Sequence, residues 1–281
     1  MRLLRTGATP PRMLASTEEE TLDLTAADPA VTSFRDIAAR AAEMGGIEAV
    51  VDALRPTAPV VSIPASRPLV ADEVWAAGVT YAISEQAREA ESALPEMYMQ
   101  VYDAERPEIF FKATPSRTVG PHAAVGVRTD STWDVPEPEL GVVLYEGAIV
   151  GYTIGNDVSS RAIEGANPLY LPQAKVYDRC CAIGPAVTTA ASLDASDLKM
   201  SMQILRDGEQ LYADRTSTAE LHRTIDELVS YTIQSDAVPE LMVLLTGTSL
   251  VPEEGFTLRP GDTVRITIEG IGTLENGVIA V

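Results

Sequence analysis

Pro136-Glu137-Pro138-Glu139-Leu140 sets two carboxylates one residue apart in a segment that cannot be helical. Each proline disfavours helical dihedrals at the residue before it, so the segment is held extended. In an extended segment the side chains at i and i+2 share a face. Glu137 and Glu139 therefore point the same way. Two adjacent anions repel, and a partly buried site keeps both ionised only with a cation or a proton between them. A hard divalent ion such as Mg²⁺ suits carboxylate oxygens. The same five residues also read as a solvated loop in an acidic protein; what lies downstream decides between the two.

Downstream, Leu140–Leu144 and Ile149–Thr153 are apolar runs flanking Glu146-Gly147, a hairpin signal. The second run leads into Ile154-Gly155-Asn156-Asp157, which puts a carboxylate at a strand end, where it can face a cleft. Glu137, Glu139 and Asp157 together supply three oxygens, with water or substrate completing an octahedron. Lys175 follows in Leu171-Pro-Gln-Ala-Lys-Val-Tyr-Asp178. Beside a metal and substrate, desolvation and the cation lower a lysine's pKa toward use as a base. The plainer alternative is a surface lysine paired with Asp178.

The remaining pattern is that of an α+β chain, mostly β. Residues 1–70 are expected to form a small N-terminal α/β domain and residues 71–281 the main body. Phe34–Leu54 has helical periodicity, which Gly45-Gly46 should split into two helices. Val74–Tyr81 reads as extended, leading into a helix over Ser84–Leu94. Met200–Leu205 and Gln210–Tyr212 flank Asp207-Gly208, a second hairpin signal. Thr218–Asp236 is expected to be helical, with Ser217 or Thr218 as cap. Arg259–Glu269 alternates like a strand with one wet face.

Composition narrows the function. A net charge of −20 argues against nucleic acid and anionic membrane as partners. No apolar run approaches a membrane span. The opening Met-Arg-Leu-Leu-Arg-Thr-Gly lacks the apolar h-region of a signal peptide. Two adjacent cysteines, Cys180 and Cys181, match no metal spacing and are poorly placed to bond each other. A reducing, cytoplasmic location is expected. Lysine occurs only at 112, 175 and 199, and two of these three flank the carboxylate block. His122, after Gly120-Pro121, is expected in a loop and His222 on a helix, both as structural or surface residues.

Taken in order, Trp75-Ala-Ala-Gly-Val-Thr-Tyr81, Phe110-Phe-Lys112, Pro136-Glu-Pro-Glu139, Gly155-Asn-Asp157, Gln173-Ala-Lys175, Ile183-Gly-Pro185 and Glu269-Gly-Ile-Gly-Thr-Leu-Glu-Asn276 resemble the fumarylacetoacetate hydrolase superfamily. The resemblance covers about residues 70–281. It implies a fumarylacetoacetate-hydrolase-like mixed β-sandwich roll that binds Mg²⁺, with Mn²⁺ or Ca²⁺ as alternatives, through Glu137, Glu139 and Asp157. It also implies that Lys175 faces the substrate, and that the chain is a homo-oligomer, dimer or tetramer.

Hydrolase and decarboxylase members of that superfamily carry a water-activating histidine and glutamate on a lid. The corresponding stretch here, Thr80-Tyr-Ala-Ile-Ser-Glu-Gln-Ala-Arg88, has Ser84 in the histidine's place and alanine in the glutamate's. Pro107-Glu-Ile-Phe-Phe-Lys-Ala-Thr-Pro115, Glu164-Gly-Ala-Asn-Pro-Leu-Tyr-Leu-Pro-Gln-Ala-Lys175 and Thr246-Gly-Thr-Ser-Leu-Val-Pro252 instead resemble the branch that dehydrates 2-keto-3-deoxy sugar acids in oxidative pentose breakdown. That likeness implies Lys175 and Glu108 as the acid/base pair, their order open. It implies Thr248 and Gly247 at the substrate carboxylate. Lys112 and Arg88 become candidates for anion contact, and Tyr81 and Ser84 for substrate hydroxyls. The rival readings are an acylpyruvate-type hydrolase or oxaloacetate decarboxylase on the same scaffold, and a metal-dependent sugar-acid binding protein without catalysis.

Overall fold

The computed structural model describes residues 1–62, 65–66, 68–81, 100–234, 238–253 and 255–281. The helix expected over Ser84–Leu94, and with it Ser84 and Arg88, lies outside the described residues.

The hairpin around Glu146-Gly147 forms the centre of the larger sheet. Pro138–Tyr145 and Ala148–Asp157 run antiparallel, with Tyr145 opposite Ala148. Glu146 and Gly147 both have positive φ, 48° and 80°, as a two-residue turn matched to strand twist requires. On one side follow Leu241–Leu245, Glu73–Gly78 and Glu108–Ala113. On the other follow Cys181–Thr189, Arg2–Thr6, Met13–Ser16 and Thr21–Asp23. The strands before residue 70 thus extend one edge of this sheet.

Both faces of the sheet are covered, so Pro138–Tyr145 is buried along its whole length. The first face carries the helices Phe34–Met44 and Ile47–Leu54, separated at Gly45, whose φ is 88°. Ser33 and Asp36 cap the first helix reciprocally. Phe34, Ile37, Val50 and Val51 pack with Val143, Val187 and Val243. On the second face, Leu140, Val142, Leu144 and Ile154 meet Met200, Met202, Ile204, Val264 and Ile266 of a five-stranded sheet. The Asp207-Gly208 hairpin forms there, and Thr263–Ile268 alternates buried and open positions as its sequence does.

One expected element breaks in two. Thr218–Glu220 is a single 3₁₀ turn, capped by Ser217, and the α-helix runs only over Ile225–Ile233, capped by Thr224. Between them the chain leaves helical geometry, because Leu221 bridges Tyr81 and the His222 N–H donates to the Thr80 carbonyl at 2.9 Å. His222 therefore precedes the helix instead of lying on it, and its ring stacks on Tyr102 at 4.2 Å.

Candidate active site

The register of the central hairpin brings the acids together. Pro138 faces Asn156 and Glu139 faces Gly155, and the Asp157 N–H donates to the Glu137 carbonyl at 2.9 Å. Asp157 thus stands across from Glu137, on the face that Glu137 and Glu139 share. Carboxylate oxygens of all three lie within 4.8 Å of one another. None of the three side chains belongs to a residue more than 2 % exposed.

Cations from three other segments reach this cluster. Lys175 ends the short helix Leu171–Lys175, and its Nζ lies 2.7 Å from Glu137 Oε2 and 3.1 Å from Asp157 Oδ2. It is buried, so the surface pair with Asp178 does not form. Arg161 opens the helix Arg161–Ala166, which Ser160 caps, and reaches Glu137 Oε1 at 2.9 Å. Lys112 lies beneath the cluster, 2.5 Å from Asp157 Oδ1, and donates to the carbonyls of Val158 and Lys175.

Glu139 differs from its two neighbours. Among the described residues no lysine or arginine pairs with it; its Oε2 accepts the Gly247 N–H at 2.5 Å. Burial first, then the charges of Asp157 and Glu137, push its carboxyl well above the usual range, against a smaller downward pull from Lys175 and Gly247. A buried, all-oxygen donor set that includes a carboxylate without a counter-cation fits a hard divalent ion. Glu137, Glu139 and Asp157 are the residues that would hold it.

A cleft opens over the cluster, lined also by Gly78, Val79, Glu108, Phe110, Glu164, Gly247 and Thr248. Glu108, Gly247 and Thr248 thus share the cleft with the three acids. Glu108 stands opposite Gly78 on the neighbouring strand. Lys175 Nζ sits 5.3 Å from the centre of the Phe110 ring. Lys112 is not among the lining residues, and its bonds to Asp157 and two carbonyls explain why it is held below. Tyr81 is absent from the lining too. Its hydroxyl is buried without a partner among the described residues, and burial, with the charges of Glu139 and Glu220, raises its pKa.

Arg161 and Glu164 enter the site without having been singled out in the sequence. Both fall on the short helix Arg161–Ala166 and are buried, 3 % exposed each, which only the folded chain shows.

Residues 73–279 match the family model described as fumarylacetoacetate (FAA) hydrolase C-terminal. The chain belongs to this family, and the central hairpin and the three acids lie within the matched span. The sequence is 59% identical over 278 residues to the probable 2-keto-3-deoxyxylonate dehydratase of Haloferax volcanii, covering 96% of each chain. It is 43% identical over 215 residues to the 2-dehydro-3-deoxy-D-arabinonate dehydratase of Saccharolobus solfataricus, covering 74% of this chain and 72% of that one. A solved structure of 2-keto-3-deoxy-D-arabinonate dehydratase complexed with magnesium and 2,5-dioxopentanoate superposes with a TM-score of 0.85 at 33% identity, covering 100% of this chain and 99% of the other.

Proposed function

We propose that this protein is a Mg²⁺-dependent hydro-lyase converting 2-keto-3-deoxy-D-arabinonate (equally 2-keto-3-deoxy-D-xylonate) to 2,5-dioxopentanoate. The observation that carries the reading is the buried triad Glu137, Glu139 and Asp157 with the Lys175 ammonium against it, at the floor of a cleft edged by Glu108. Its likeness to dehydratases, one of them solved with magnesium and this product, supports the same reaction.

The bound ion would supply Lewis-acid polarisation of the α-keto acid. The protein's part is to place and move protons. Lys175 and Glu108 divide that work: one takes a proton from C3, and the other protonates the C4 hydroxyl as it leaves. Loss of both gives a C3–C4 double bond and one water. A C5 proton then departs, C3 regains one, and the resulting C5 enol becomes the aldehyde as C4 gains a proton and the C5 hydroxyl gives up its own. Thr248, beside Gly247, holds the substrate carboxylate through its hydroxyl and its backbone N–H. Arg161, itself in the cleft lining, fixes Glu137, and Lys112 fixes Asp157 from below. Ser84 and Arg88 are assigned to the sugar-hydroxyl and anion contacts of the substrate.

Among the described residues no helix is long and apolar enough to cross a membrane. The reading extends to a homo-oligomer in the cytoplasm, where the free, buried thiols of Cys180 and Cys181 remain reduced. The test is aldehyde formation by purified protein from the deoxy-keto acid, with and without Mg²⁺, beside an acylpyruvate. Cleavage of the acylpyruvate without dehydration of the sugar acid would overturn the assignment in favour of a hydrolase.

A further inference from the structure

We propose that Thr80 is a positioning residue for the metal ligand Glu139, acting through the peptide that joins Thr246 to Gly247. The inference rests on the reading of Glu139 as a ligand and adds a residue to it. The Thr80 hydroxyl donates to the Thr246 carbonyl at 2.7 Å. The N–H of that same peptide unit, on Gly247, donates to Glu139 Oε2 at 2.5 Å. One planar amide is therefore engaged at both ends, by a hydroxyl on its oxygen and a carboxylate on its nitrogen. A hydrogen bond accepted by a carbonyl polarises the amide and strengthens its N–H as a donor, the more so away from water. Thr80, Thr246 and Glu139 are all buried, at 0 %, 0 % and 1 % exposure.

The surroundings leave the amide little freedom. Thr246 bonds the Leu140 carbonyl through both its N–H and its hydroxyl, at 3.1 Å each. Gly247 has φ +90°, and a Cβ there would stand within 3.0 Å of the Ala77 carbonyl and inside the Thr80 hydroxyl. The hydroxyl thus fills the space in which a side chain at 247 would lie. Thr80 is in turn anchored by the His222 N–H on its own carbonyl. The line Thr80–amide–Glu139 fixes which way the only triad carboxylate without a counter-cation, among the described residues, presents its oxygens.

The measurement is Mg²⁺ affinity by titration calorimetry on Thr80→Val, Thr80→Ser and Thr80→Cys, with melting temperatures taken in chelator. Loss of a partner behind a metal ligand weakens binding by about 10- to 100-fold. Thr80→Val is expected to lose affinity in that range, and Thr80→Ser, which keeps the hydroxyl but not the methyl, to stay within about threefold of the parent. Thr80→Cys, a weak donor of similar size, should fall between them and serves if the valine variant does not fold. A packing role predicts the reverse order, with serine impaired and the nearly isosteric valine close to the parent, and that result would overturn the proposal. Glu139→Gln separates the two levels of inference. If it weakens binding while Thr80→Val does not, only the Thr80 role is lost; if neither weakens it, the ligand assignment falls as well.

Discussion

The carboxylate of Glu108 lies over the Cα of Gly78, its antiparallel partner in the sheet. A Cβ at residue 78 would stand 2.7 Å from Glu108 Cδ and closer still to Oε2. Glycine is needed there for the room it leaves, since its backbone is that of an ordinary strand.

Gly78→Ala should therefore act on catalysis and spare the fold. The obstructing atoms are the far end of a flexible side chain, which can swing aside at little cost. Turnover is expected to fall about tenfold or more, toward the loss given by Glu108→Gln, which should lie in the range of about 10²–10⁴ for a general acid or base. Parallel kcat and melting curves check this. Full activity in Gly78→Ala would remove Glu108 from the proton-transfer pair.

Which parts of this were legible beforehand follows from the range of the interactions. Glu137 and Glu139 could be placed because two prolines fix the backbone locally, and Asp157 because a tight hairpin fixes its register. Lys112 was readable as a scarce lysine near the acids and as a candidate for anion contact, not as a buried partner of Asp157. Its burial under Asp157 depends on Val158 and Lys175, far along the chain, presenting carbonyls to it. The helix expected from Thr218 is cut short for a similar reason: a bridge between Leu221 and Tyr81 outweighs local periodicity. The amide linking Thr80 to Glu139 leaves no mark in composition or spacing at all.

Lys112→Met should be costly to stability. Asp157 is fully buried and would lose a partner at 2.5 Å. Breaking a buried ion pair from one side costs about 3–5 kcal/mol, which denaturant unfolding would register. The wild-type pair also carries a pH signature. Burial alone would lower the lysine's pKa, but Asp157, with Cys180 and Cys181, outweighs it and the net shift is upward from 10.5. Stability from this pair is complete below the unfolded value and is lost as pH climbs through the higher folded one. Alkaline unfolding should therefore be less steep in Lys112→Met than in the parent, and equal slopes would contradict the pairing.

Glu139 gives the opposite end of the pH range. Its carboxyl is raised well above 4.5 by burial and by its two acidic neighbours. The contribution of its neutral form is fully present below the unfolded value and fades as pH rises through the folded one. Chelator-treated protein should thus lose stability through this group over the interval that runs upward from the ordinary carboxyl range. Mg²⁺ competes with the proton for the carboxylate, so its affinity and its effect on melting temperature should both grow over the same interval. Melting curves with chelator or Mg²⁺ across that interval decide it; a pH-independent Mg²⁺ effect would exclude a protonated Glu139.

Lys175→Met separates the lysine's two duties. Its ammonium bonds Glu137 and Asp157 at 2.7 and 3.1 Å, so without an ion it neutralises buried charge. Methionine keeps the length and apolar stem but leaves those carboxylates with less compensation. In chelator the variant should melt below the parent. Saturating Mg²⁺ should close much of that gap, because the ion supplies positive charge to the same oxygens. Catalysis would not recover with it. Proton transfer needs a titratable group, and its removal is expected to lower kcat by about 10²–10⁴, even in variant protein whose metal content matches the parent's. Metal analysis, melting curves and turnover on one preparation test both halves at once. Turnover within about tenfold of the parent, an effect below the range expected of an acid or base, would leave Lys175 as a counter-ion and pass its chemical step to another residue.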